Sequence, residues 1–224
     1  MDAQPTILNL VPVGTATSDP HMYRLVHPYA IRLRDLFMHK ADLEQMDAWL
    51  AELHAHFPEG VPTSPTPPLQ AFWTASVVVF FRCFTPSARG HLDAKRVFAT
   101  EPLGAIEAYE RLHAFRNRTI VHDENFFNQG LIGVPVENPE GPVARVGPVQ
   151  IVLLKGVTFD FEEISNLVNL AKAAIRWIDA ESSRLNALLA DEIKKMSRAE
   201  IIEHGPVEWT SPSFQTANAR RPRI

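Results

Sequence analysis

Residues 69–84, LQAFWTASVVVFFRCF, decide the fold class of this chain of 224 residues. The stretch is apolar on nearly every side and has no internal turn residue, which favours a helix over a strand despite its run of three valines. A helix that is apolar all round is buried on all sides, so we expect it at the centre of a helical bundle. Arg82 cuts its apolar run well short of the roughly 20 residues that a membrane span requires.

Amphipathic helices are predicted on both sides of this central segment. A 3.6-residue apolar stripe predicts one helix over residues 30–57, and a second pattern covers residues 101–122 with a proline in its first turn. A third pattern covers residues 161–204 and ends at Gly205. Its length implies a kink, or a junction of two helices near Ser197.

The remaining segments are short or irregular. Ser87 is expected to cap a short helix over residues 88–99. In residues 129–157 two β-like runs, 131–136 and 149–154, flank a Gly/Pro-rich stretch and predict a β-hairpin with a long loop. The predicted fold class is therefore mainly α, a helical bundle with a small β-hairpin inserted between the second and third amphipathic helices.

The 18 prolines and the overall charge outline the organisation of the chain. We expect an extended arm over residues 1–28, a helical domain over 29–204 and a flexible tail over 205–224. The net charge of −4 excludes a uniformly basic surface, although it leaves room for a local basic site. The sequence does not open with the pattern of a secretory leader. The single cysteine, Cys83, lies in an apolar stretch and is expected to be a small buried apolar residue. Both observations favour a cytoplasmic protein.

The clearest chemical signal lies in residues 115–124, FRNRTIVHDE. Arg116 followed by Asn117 and, near the end of a helix, by His122 resembles the motif of the HEPN superfamily (higher eukaryotes and prokaryotes nucleotide-binding domains). The similarity is to the branch found in abortive-infection and toxin–antitoxin systems. It extends over about residues 30–195, because an apolar helix precedes the motif helix and a long helix follows it. The predicted hairpin departs from the plain helical bundle of that family.

The HEPN resemblance implies a metal-independent endoribonuclease or RNA-binding protein. It implies a homodimer with two motifs facing one cleft, RNA as substrate or ligand, and a defence or toxin–antitoxin setting in which an antitoxin would be a further partner. No metal, cofactor or membrane contact is expected. The alternative is a non-catalytic interaction module of the same fold, in which the motif only holds the dimer together.

The residue types in the motif suit RNA chemistry. A histidine has an ordinary pKa of about 6.5, so His122 is the expected acid/base group at neutral pH. The guanidinium fork of Arg116 is suited to stabilising a phosphate in the transition state. Supporting contacts to RNA are expected from four neighbours: Asn117, Arg118, Arg111 and Asp123.

Helix geometry leaves the partner of His122 open. On an ideal α-helix Arg116 and His122 lie about 120° apart, whereas Arg118 and His122 are at positions i and i+4 and share a face. Either the helix loosens before His122, or Arg118 is its partner. Arg116 falls on the apolar stripe and needs an anion, a dimer interface or an acid as its own partner, and Glu163 and Glu107 are the candidate acids.

Other groups of side chains are weaker candidates for a functional site. Asp35 and His39 are expected to form a solvated i, i+4 pair on the first helix. Cys83 has no motif partner and is a weak candidate nucleophile. A di-iron centre would need a second copy of its ligand pattern, which is not found. Three residues have the spacing of its first copy: Glu107, Glu110 and His113.

Overall fold

The computed structural model describes residues 22–56, 66–121, 128–137, 140, 145–155 and 159–207. Its described part is mainly helical with a small β insertion, which confirms the predicted fold class. The helices are α1 (Pro28–His56), α2 (Pro67–Phe84), α3 (Ala94–Val97), α4 (Leu103–Phe115), α5 (Phe161–Ile193) and α6 (Arg198–Glu203). Residues Arg116–Val121 continue α4 as a π-helical turn.

The chain divides into two compact units. One unit is the continuous segment Asp35–Glu181, which contains the motif. The other combines the described residues up to Arg34 with those from Ser182 onwards. Most of the predicted arm over residues 1–28 and of the predicted tail over 205–224 lies outside the described residues.

Helix α2 buries one face in the core of the larger unit, and the burial on all sides that its sequence predicts is wrong, because Gln70, Val78 and Arg82 are exposed. The largest α2 side chains, Trp73, Phe80 and Phe81, are at most 1% exposed. Fully buried apolar residues of α1 and α5 belong to the same core: Leu36, Leu43, Met46, Leu50, Leu53, Ile164, Leu167, Ala171, Ala174 and Ile178. None of the helices in the described ranges has an apolar stretch long enough to cross a membrane.

Aromatic contacts fix how α2 and α4 run past each other. Trp73, in the first half of α2, lies 6.2 Å from Phe115 at the end of α4, measured between ring centroids. Phe84, at the end of α2, lies 5.2 Å from Tyr109 in the middle of α4. The two helices are therefore antiparallel, and the π-helical turn lies beside the N-terminal part of α2.

Four helix starts differ from the sequence prediction: α1 begins at Pro28 rather than near residue 30, α4 begins at Leu103 rather than at residue 101, and α2 and α3 differ as follows. Asp93, rather than Ser87, caps the short helix α3, because its side chain accepts a hydrogen bond from the Lys95 amide at 2.9 Å. The predicted start of α2 was also late by two residues. It begins at Pro67, since a proline in the first helical turn lacks only an N–H that would have no partner there.

In the smaller unit, the junction predicted near Ser197 is confirmed. Ser197 caps α6 and forms a capping box with Glu200, whose pKa is lowered by the hydrogen bonds from Ser197. Gly205 ends α6 with a φ of 73°, a left-handed conformation that glycine adopts without strain. Its carbonyl accepts a hydrogen bond from the Arg24 amide at 2.9 Å.

The β insertion consists of two antiparallel pairs. Strand β1 (Asn128–Gly133) pairs with β4 (Gln150–Lys155), and β2 (Val136–Glu137) pairs with β3 (Arg145–Val146). This is the hairpin that the sequence predicts. Its outer pair exposes apolar side chains on both faces, among them Ile132, Ile151 and Leu153, each more than two-thirds exposed.

Adjacent valines test the central position of α2. Val77 is fully buried and Val78 is 39% exposed. We expect Val77→Ala to lower the free energy of unfolding by about 2 kcal/mol, since it removes two buried methyl groups and leaves a cavity. The same change at Val78 is expected to cost less than about 0.5 kcal/mol. Chemical denaturation measures both, and equal losses would contradict a buried α2.

Candidate functional site

The motif begins where the α-helical hydrogen-bond pattern ends. Residues Arg116–Val121 form a π-helical turn that contacts α2. Such turns are rare and occur often at functional sites, because they widen a helix and redirect its side chains. Three predicted site residues lie in this turn: Arg116, Asn117 and Arg118.

Arg116 is half-buried and is held by an amide rather than by an acid. Its Nη1 donates to Oδ1 of Asn117 at 2.8 Å. Its Nε is buried without a hydrogen-bond acceptor. In the described part of the chain no carboxylate forms an ion pair with Arg116, so its positive charge has no counterpart there.

Neither of the acids proposed as partners of Arg116 forms an ion pair with it among the described residues. Glu163 accepts a hydrogen bond from Nε of Arg111 at 2.8 Å, across the contact between α4 and α5. This bond raises the pKa of the Arg111 guanidinium and neutralises its charge. Glu107 is exposed on α4 and forms no ion pair with Arg116. Only Nε of Arg111 is engaged in this pair and its side chain is 51% exposed, so its predicted contact with RNA stays a prediction.

Arg118 is the second uncompensated cation of the turn. Its side chain is exposed, and no acid among the described residues forms an ion pair with it. Together with Arg116 it gives the turn two positive charges that no acid of the described residues pairs with. A concentration of unpaired arginines is the electrostatic pattern that attracts phosphate groups.

His122 and Asp123 lie directly after the turn and outside the described residues. One alternative for the partner of His122 required the α-helix to loosen before that residue. The π-helical turn at residues 116–121 is such a loosening. The partner of His122, Arg116 or Arg118, therefore stays a prediction.

The structure adds one residue to the motif that sequence reasoning did not place there. His113 precedes the turn, and its Nε2 lies 3.5 Å from Nδ2 of Asn117. Its ring stacks on Tyr109 at 6.0 Å with an angle of 8° between the planes. The i, i+4 spacing of His113 and Asn117 was the available signal. His113 contacts the side-chain amide of Asn117, and the same amide accepts a hydrogen bond from Arg116.

The structure brings together a cluster that the sequence did not single out. A ring nitrogen of His39, a carboxylate oxygen of Asp42 and the sulfur of Cys83 lie within 4.8 Å of one another. The solvated pair predicted for Asp35 and His39 is wrong, because these side chains are 4% and 1% exposed. Both bind the backbone of Gly90, whose position the local sequence pattern does not reveal.

Cys83 is the buried apolar residue that the sequence predicts. It is fully buried. Burial, reinforced by the negative charge of Asp42, raises the pKa of its thiol to about 12. At neutral pH the thiol is therefore protonated, which argues against Cys83 as a nucleophile.

A groove of about 330 Å³ lies at the start of α4, the end opposite to the motif. None of the predicted site residues lines it. Its wall is formed by residues around the first turn of α4 and by polar residues of α5, including Glu101, Gly104, Ala108, Asn169, Lys172 and Arg176. Glu101 and Arg176 form an ion pair across it at 2.7 Å.

Comparison with known proteins adds no relative. No family model, no curated protein and no solved structure matches this chain. The functional interpretation therefore depends on the residues and geometry of the motif turn.

The aromatic packing behind the motif is testable through Tyr109. Burial, with a smaller contribution from the charge of Asp93, raises the pKa of Tyr109 above its ordinary value of 10.0. The unfolded chain ionises Tyr109 at its ordinary pKa. Its contribution to stability is thus complete below pH 10 and is lost as the pH rises through the folded pKa.

Tyr109→Phe keeps the ring and removes the ionisation. We expect one of the three tyrosines to titrate late in the ultraviolet absorbance of the wild type, and this late step to be missing in the variant. Denaturation on either side of pH 10 should show a steeper loss of stability in the wild type. Identical pH profiles for the two proteins would show that Tyr109 is not buried behind the motif.

Proposed function

We propose that this chain is a HEPN-like, metal-independent endoribonuclease that binds RNA at the π-helical turn and acts as a cytoplasmic homodimer. In this proposal Arg116 and Arg118 hold the scissile phosphate, Asn117 positions Arg116, and His122 transfers protons. A defence or toxin–antitoxin setting, with an antitoxin as further partner, follows from the same resemblance. The proposal is supported by the motif and by the electrostatics of the turn.

The observation that carries the proposal is the state of Arg116. A half-buried arginine normally has an acid as partner, because a desolvated charge without one is costly. Here an amide takes the place of the acid, and Nε is buried without an acceptor. Asn117 fixes the guanidinium without neutralising it, which is the arrangement expected of a group that receives an anion.

The chemistry follows from the residue types. His122, neutral at the start, takes the proton of an RNA 2′-OH, and the 2′ oxygen attacks the adjacent phosphorus. The bond from phosphorus to the 5′ oxygen breaks, and a protonated imidazole gives that oxygen its proton. The products are a 2′,3′-cyclic phosphate and a 5′-hydroxyl. The two arginines stabilise the negative charge that builds up on the phosphate oxygens.

A homodimer suits this sequence of proton transfers. One imidazole must act as base while another group acts as acid, and two motifs facing one cleft would supply two histidines. Two pairs of uncompensated arginines would also line that cleft. RNA is thus expected to bind in the cleft between the two copies of the motif.

A second candidate function is a non-catalytic interaction module. The observation in its favour is the β1–β4 ribbon, because a two-stranded sheet is marginally stable alone and this one exposes apolar side chains on both faces. In that case the ribbon would bind a partner, and the motif would only maintain the dimer.

The two functions differ in an RNA cleavage assay in the presence of EDTA. We expect the wild type to cleave RNA. Arg116→Ala should lower the rate by about 10²–10³-fold, the usual cost of removing one donor to a developing oxyanion. His122→Ala should lower it by about 10²–10⁴-fold through loss of acid/base catalysis. Arg176→Ala is the matched control, an exposed arginine paired with Glu101, and should cleave as the wild type does.

Two results would argue against the nuclease. One is equal background activity in the wild type, Arg116→Ala and His122→Ala. The other is loss of the dimer in these two variants, seen by sedimentation, with no effect on RNA; this outcome would favour the interaction module.

A further inference from the structure

A polar cluster lies between α1 and the end of α2, and the proposed nuclease chemistry makes no use of it. His39 and Asp42 are three residues apart on α1 and therefore share a face. Cys83 is the penultimate residue of α2. One ligand atom from each of these side chains lies within 4.8 Å of the other two. Side chains from two helices thus place a nitrogen, an oxygen and a sulfur atom, all possible metal ligands, close together.

The donor set matches the preferences of zinc. Zn²⁺ accepts imidazole nitrogen, carboxylate oxygen and thiolate sulfur at bond lengths of about 2.0–2.3 Å. In a tetrahedral site such bonds place the ligand atoms about 3.5 Å apart. Atoms that already lie within 4.8 Å would need to move by about 1 Å or less each.

His39 forms the kind of hydrogen bond that ligating histidines commonly form. Its Nε2 lies 2.8 Å from the carbonyl oxygen of Gly90, and since a carbonyl can only accept, Nε2 carries the proton. In the neutral ring Nδ1 is then the nitrogen with the lone pair. Ligating histidines commonly donate their other N–H to a backbone carbonyl in this way, which fixes the tautomer and the ring orientation. Asp35 holds the same Gly90 by accepting its amide hydrogen at 2.8 Å.

The arginines near Asp42 do not block the site. Arg82 and Arg89 each donate to a different oxygen of this carboxylate at 2.8 Å. A carboxylate offers about four lone-pair directions, so two hydrogen bonds leave room for a metal. Ligating carboxylates are usually hydrogen-bonded in this manner. Asp42 is also the least buried of the three ligands, and the ion would enter on its side.

We propose that His39, Asp42 and Cys83 bind one Zn²⁺ ion, with a water molecule as fourth ligand. On binding, the Cys83 thiol releases its proton to solvent and its sulfur bonds the metal, while the carboxylate and the imidazole contribute lone pairs and keep their charge. The ion would join α1 to α2 and stabilise the core of the larger unit. Fully buried His39 and Cys83 suit this stabilising role.

The zinc site is separate from the proposed nuclease site. Cys83 lies ten residues after Trp73 on α2, which corresponds to about 15 Å along the helix axis. Trp73 contacts Phe115, next to the motif turn, so the two sites lie towards opposite ends of α2. Zinc binding can therefore be present whether or not the chain cleaves RNA.

Cobalt titration of the metal-free full-length protein tests the proposal. Co²⁺ replaces Zn²⁺ in such sites and gives an ultraviolet charge-transfer band only when a thiolate is bound. We expect this band to saturate at one Co²⁺ per chain and to disappear when Zn²⁺ is added. Because Cys83 is the single cysteine, the wild-type spectrum by itself identifies the ligand.

Variants supply the controls. Cys83→Ser is expected to lose the charge-transfer band, and His39→Gln, which retains a donor for Gly90, to weaken Co²⁺ binding at least about tenfold. His56→Gln, which changes an exposed histidine of α1, should bind as the wild type does.

X-ray absorption of the zinc-loaded wild type gives a readout that does not depend on how the variants fold. A sulfur neighbour at about 2.3 Å from zinc is the expected result. A zinc ion with only nitrogen and oxygen neighbours, or a wild type that binds Co²⁺ without the thiolate band, would overturn the proposal.

Discussion

The burial of α2 is the constraint on which the rest of the structure depends. Trp73, Phe80 and Phe81 are almost fully removed from solvent. Each such side chain contributes on the order of 2–3 kcal/mol when it is buried. Their rings contact α4 along its length, through Phe115 at one end and Tyr109 further back. The position of the motif turn is therefore a consequence of the packing of α2.

The charges at the two ends of α2 are arranged in opposite ways. Near its C-terminus the carboxylate of Asp42 has two arginine partners, and the buried polar groups around Gly90 are bonded to its backbone. Near its N-terminus Arg116 has an amide partner and no acid in the described chain. This contrast, together with the widened turn, supports the proposal that the motif binds phosphate.

The sequence was sufficient for the features that depend on periodicity and on breakers. The three long helices, the hairpin and the junction near Ser197 follow from apolar spacing and from residues that terminate helices. The π-helical turn at Arg116–Val121 was only one of two alternatives, because no local pattern distinguishes it from a continued α-helix. The motif arginines were also identifiable, since an arginine on an apolar stripe demands a partner.

Features that depend on contacts between residues far apart in the sequence could not be predicted from periodicity and helix breakers. Arg111 pairs with Glu163, 52 positions away, and Glu163 was one of the two acids expected as a partner of Arg116. His39 meets Gly90 from 51 positions away. That long-range contact accompanies the burial of His39 in the cluster with Asp42 and Cys83. The i, i+4 spacing of His39 to Asp35 had instead indicated a solvated helix face.

The most direct test of the account is nuclear magnetic resonance of the arginine Nε–H groups during titration with an oligonucleotide that lacks the 2′-OH and resists cleavage. The account predicts that the Arg116 Nε–H resonance shifts on binding, because the guanidinium to which it belongs gains a phosphate acceptor. The Arg176 resonance should stay in place. An Arg116 resonance that remains at its free position while the oligonucleotide binds would contradict the claim that this arginine receives the phosphate.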